Sequence, residues 1–197
     1  MIMPRWEIHR KWAKILGISD EISKEVNELI DFPEKWFRKR YSKEYLSEEA
    51  RGYAFAFFNE PCLALYHAGK AWYGFGHDVG RKYKTMYYLQ LRCVYKHYGV
   101  EGVKACLLHH ILDYITYFSP NDPESYILFK IEEKFGLKHP PPKDVDDYLK
   151  RLPLWKREGY PREEAEMSVK IMNAQAEILE FVKKNLKQIL TDIFDNK

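Results

Sequence analysis

Cysteine is scarce in this chain. Its 197 residues hold three, Cys62, Cys93 and Cys106, none in Cys-x-x-Cys spacing and each among apolar neighbours. That excludes a disulfide-dense scaffold or a zinc ribbon and predicts buried, reduced thiols. Long hydrophobic runs are also missing. A membrane span needs roughly eighteen or more apolar residues, and the densest run, Tyr53 to Phe58, is far shorter. Met1 to His9 lacks the apolar core of a secretory signal. These absences predict a cytoplasmic chain with no membrane partner. Net charge is small, at +3, too weak a basic bias to imply nucleic acid by itself. Neither a phosphate-binding glycine loop, nor a dinucleotide fingerprint, nor a serine elbow occurs, which argues against those chemistries.

Strand-type alternation is rare, whereas apolar residues recur at helical spacing. Arg5 to Leu16 reads as a helix stopped by Gly17. Ser19 caps a second running to about Asp31, with Ile22, Val26, Leu29 and Ile30 on one face. Pro33 opens a short helix ending in Arg38, Lys39 and Arg40. Ser47 caps another through Phe58, and Pro61 starts the next, reaching Trp72. Asp78 to Tyr98 and the more apolar Val100 to Phe118 are separated by Gly99. Pro123 begins a helix ending near Gly136, and Asp144 to Leu152 is a short one.

From Pro161 to Phe194 the pattern is one long helix, where Leu179, Val182, Leu186, Ile189 and Ile193 form a heptad-like stripe. The fold class predicted is all-α, a compact orthogonal helical bundle with a long C-terminal helix. Residues 1–158 would form the helical domain and 159–197 that helix, packed on its own domain or forming a homodimer seam. The predominance of Lys, Glu and Arg among charges suits the ion-pair networks of a thermophile protein.

The chemistry-bearing residues are histidines and aspartates. His109 and Asp113 are four apart and His110 and Asp113 three apart, so either imidazole can meet the carboxylate on one helix face. In so apolar a segment, that polar group costs several kcal/mol unless it is hydrogen-bonded or coordinated. His77-Asp78 stands where a helix start can turn both side chains to one point, followed by Arg81, Lys82 and Lys84. Imidazole and carboxylate together suit a divalent transition metal, and the cations an anion. His9 lies in the first amphipathic helix, and His67 either packs against a neighbour or serves as a ligand. For each, a plain structural part remains open: Asp78 as a helix cap, His109 or His110 in a buried hydrogen bond, His9 as a surface residue.

Taken together, a leading histidine, a His-Asp doublet and a downstream His/Asp helix resemble the HD superfamily of metal-dependent phosphohydrolases. The resemblance centres on His77-Asp78-Val79-Gly80-Arg81, similar to that family's His-Asp-Ile-Gly-Lys, and covers about Trp6 to Phe118. It implies an HD-domain-like fold and a hydrolase of phosphate esters, its substrate a nucleotide or related small phosphate. His9, His77, Asp78, His110 and Asp113 would be metal ligands for Mn, Fe, Ni, Co or Zn. His109 or His110 would move protons, and Arg81 would grip phosphate.

Two other classes fit the same residues. One is a non-catalytic helical scaffold, with the His/Asp pairs structural. The other is a weakly basic nucleic-acid-binding protein, which would use Arg81, Lys82, Lys84, Arg92 and Lys96 interleaved with Tyr83, Tyr87, Tyr88 and Tyr95.

Overall fold

A computed structural model describes residues 6–47, 60–70 and 84–195. Every regular element among them is a helix: α1 Trp6–Ile15, α2 Asp20–Asp31, α3 Pro33–Arg40, α4 Pro61–Ala68, α5 Lys84–Ile115, α6 Glu124–Phe135, α7 Val145–Arg151, α8 Leu154–Arg157 and α9 Arg162–Phe194. No described helix is long and apolar enough to cross a membrane. The expected helix from Ser47 to Phe58 falls almost wholly outside the described residues.

The boundaries follow local chemistry. Gly17 adopts φ 86°, a left-handed conformation that costs glycine no Cβ clash, and α1 stops before it. The Ser19 hydroxyl accepts the Ile22 amide at 3.3 Å and so starts α2. A single residue, Phe32, separates α2 from α3, which Pro33 opens where its missing N–H costs nothing. Gly99 breaks α5 with φ 60° and ψ −149°, so its two halves are distinct helical runs. The Asp144 carboxylate accepts the Asp147 amide at 2.8 Å and caps α7.

The described chain forms two compact units, one within residues 5–110 and the other from Ile111 onward. The division falls inside α5. In the first unit α2 packs on α1 and α3, and α3 on α4. Its core holds Trp12, Val26, Leu29, Ile30, Trp36, Phe37 and Leu65. Around Trp36 the rings of Phe37, Tyr41 and His97 lie with centroids 5.1–6.2 Å away, and the Arg40 guanidinium sits 4.4 Å over the indole. Arg40 also pairs with Glu25.

In the second unit α9 packs on α6 and α7. Ile127, Ile131 and Phe135 recur every four residues and form the buried face of α6. On α9, Val182, Leu186, Ile189 and Ile193 are buried within the single chain, while Ile178 takes the deep position and Leu179 is half-buried. This is the burial expected of a helix packed along its own chain. Arg157 of α8 donates to the carbonyls of Leu149, Lys150 and Leu152, satisfying the C-terminal end of α7.

One expectation is overturned. Cys62 of α4 and Cys93 of α5 form a disulfide, not a pair of free thiols, with Cα atoms 4.7 Å apart. The reason is tertiary: residues 31 apart meet where two helices come together, which periodicity along the chain does not disclose. Cys106 is free and buried as expected, and burial pushes its thiol pKa well up, leaving it inert.

Candidate metal centre

His9, Trp12 and Ala13, spaced three and four apart, are the buried positions of α1, so the histidine is carried on the helix's inward face. It is 3% exposed, not a surface histidine. His109 lies in the second half of α5, 1% exposed, and its ring centroid stands 4.1 Å from that of His9. Asp113 is one turn further along the same helix, so the helix backbone itself sets its place relative to His109. One ligand atom from each of His9, His109 and Asp113 lies within 4.8 Å of the other two. All three residues are buried.

The far side of His109 is held by α2. Its Nδ1 meets Asn27 Oδ1 at 2.8 Å, and with that oxygen as acceptor the ring proton sits on Nδ1. The lone pair of Nε2 then faces Asp31 Oδ1 at 3.4 Å. A protonated His109 ring would form an ion pair across this distance, and a metal ion is an alternative bridge between the two atoms. The other Asp31 oxygen accepts from Trp6 Nε1 at 2.6 Å, which fixes the carboxylate. Two imidazoles with one or two carboxylates form a nitrogen–oxygen donor set that fits a divalent transition ion. The Asn27 contact supplies the orienting hydrogen bond that metal-binding histidines need.

His110, fully buried, turns elsewhere: its Nε2 meets Gln90 Oε1 at 2.8 Å, and its ring centroid is 5.9 Å from that of His109. It is not one of the three converging ligands among the described residues. His67 is buried in α4 with its ring edge-on to Tyr66. His77, Asp78 and Arg81 lie outside the described residues. Of the basic stripe, Arg92 is 4% exposed and stacked on Tyr88 with its guanidinium 5.5 Å from the ring, so it is withdrawn from the surface.

Asn27 and Asp31 were not singled out by sequence reasoning. A signal existed, since Asn27 interrupts the apolar face between Val26 and Ile30, and a buried amide on such a face must have a partner. No family model, curated protein or solved structure matches this chain.

Proposed function

We propose that this chain is a metal-dependent hydrolase of phosphate esters, nucleotides or related small phosphates, in which His9, His109 and Asp113 hold one divalent transition ion. The observation that carries the reading is the convergence of two imidazoles and a carboxylate, all buried, with ligand atoms within 4.8 Å. An ion bound there would supply Lewis acidity to a phosphoryl oxygen and acidify a water. Asn27 Oδ1, 2.8 Å from His109 Nδ1, would orient the ring with Nε2 as its ligand atom. Asp31, steadied by Trp6, is the carboxylate best set to join or balance the site.

His110 is the imidazole left for proton transfer, with Gln90 fixing its ring. His77 and Asp78 as further ligands, and Arg81 as the phosphate cation, enter through the HD-superfamily resemblance alone. A cytoplasmic setting belongs to the same reading.

The test is hydrolysis of a nucleotide panel by protein loaded in turn with Mn, Fe, Ni, Co and Zn. His9→Ala and the isosteric Asp113→Asn should each lower the rate by about a hundredfold or more, which is ~2.7 kcal/mol of barrier. Circular dichroism would check that both variants stay helical. Rates unchanged in both would remove the proposal.

A second reading, the non-catalytic scaffold, is favoured by the neutral amide partners of His109 and His110. It predicts that neither metal nor hydrolysis accompanies the folded protein.

A further inference from the structure

A second group of ligating side chains stands apart from the first. Cys93 and His97 are four apart on the first half of α5, so both project from one helix face. Cys62 comes from the first turn of α4. One nitrogen of His97 and the two sulfurs all lie within 4.8 Å of one another. A disulfide needs no imidazole beside it, whereas a metal held by two thiolates does need a third donor.

We propose that Cys62, Cys93 and His97 form a redox-gated metal site: a cross-link when oxidised, and a binding site for a soft divalent ion such as zinc when reduced.

Charge and hydrogen bonding support the reduced, metal-bound form. Both sulfurs are fully buried, and two bare thiolates there would be costly. Two thiolates, one neutral imidazole and one dication sum to zero, which suits an apolar surrounding. Burial, then the Arg40 and Lys96 charges, lower the His97 pKa and keep its ring in the neutral, ligating form. The Tyr41 hydroxyl meets His97 Nε2 at 2.6 Å and orients the ring. Glu60, two residues before Cys62, is held by Lys96 at 2.7 Å and by Tyr45 at 3.0 Å, which keeps the rim in place. A water can complete four-coordination.

The steps balance as ordinary thiol chemistry. A dithiol or phosphine reductant supplies two electrons, the S–S bond breaks, and each sulfur takes up one proton. For the dithiol the product is its own disulfide; for the phosphine it is the phosphine oxide, with water supplying the oxygen and the two protons. Binding of the ion then releases both thiol protons to solvent.

The experiment uses the full chain, reduced with a phosphine, freed of metal and reductant without oxygen, then titrated with Co(II) and back-titrated with Zn(II). The expected result is one equivalent showing a sulfur-to-cobalt charge-transfer band and tetrahedral d–d bands, both removed by zinc. Oxidised protein should lack the sulfur band. His97→Ala, at an exposed position, should still form the disulfide yet bind at least about tenfold more weakly, since even outer partners of a ligand cost that much. Cys106→Ser should behave as the parent protein does. Reduced protein that takes cobalt without a sulfur band binds it only through nitrogen and oxygen, and that overturns the proposal. So does an affinity unaltered by His97→Ala.

Discussion

The Cys62–Cys93 cross-link gives the most quantitative prediction. It closes a loop with a sequence separation of 31. In the chain-entropy description a loop of that length removes about 12 cal/mol/K from the unfolded ensemble, or about 3.7 kcal/mol at 25 °C. For a chain of this size each kcal/mol moves the melting temperature by about 2–4 °C. Oxidised protein should therefore melt about 7–15 °C above the same protein reduced. Comparing two redox states of one sequence avoids the cavity that a Cys→Ala change would leave.

Both samples need a chelator, because an ion bound to the reduced thiols would itself stabilise the fold and mask the difference. The assay is calorimetry or circular dichroism melting, accompanied by thiol counting in denaturant. The oxidised sample should show one free thiol, Cys106, and the reduced sample three. Three thiols in protein never exposed to reductant would refute the cross-link. One thiol with equal melting temperatures would refute the entropic reasoning, and would mean that the unfolded chain is already constrained around this loop.

Three further outcomes are expected of the molecule. Asn27→Ala removes the acceptor that fixes His109, and should weaken transition-metal binding by about tenfold to a hundredfold while leaving the ligand set intact; isothermal titration checks it. The folded protein holds His97 neutral, with a pKa below its ordinary 6.5. The unfolded chain therefore takes up that proton first, and stability should fall as pH drops from about 6.5 through the folded value. In oxidised protein His97→Gln should flatten that part of the profile, as read by urea midpoints; an unchanged slope would show that other groups set it. Leu186→Ala, at a position 1% exposed on α9, should cost about 2–5 kcal/mol, and sedimentation should report a monomer because that stripe is covered within one chain. A dimer that this substitution dissociates would place the stripe at a seam instead.

Much of the helical layout was legible because its boundaries are chemical. Gly17, Ser19, Pro33, Gly99 and Asp144 each act through a local rule of backbone freedom, capping or missing donor, and each rule operates within a few residues of sequence. The His109–Asp113 pairing was legible for a related reason, since helical periodicity alone sets it. What escaped depends on where helices cross. Cys62 meets Cys93, His110 turns to Gln90, and Asn27 holds His109 across a gap of 82 residues. The apolar pattern that builds α2 and α5 says which face is buried but not which residue on it will find which partner. His9 illustrates the difference: its helix was readable, while its burial and its neighbour 4.1 Å away were not.

Metal stoichiometry tests most directly whether His9, His109 and Asp113 share an ion. Oxidised protein, whose sulfurs are engaged with each other, should be stripped with a chelator, dialysed, and titrated calorimetrically with Mn(II), Co(II) and Zn(II). One site is predicted in the parent protein, lost in His9→Ala and in Asp113→Asn and kept in His97→Ala. Binding that survives both of the first two changes, or no binding by the parent at all, would contradict it.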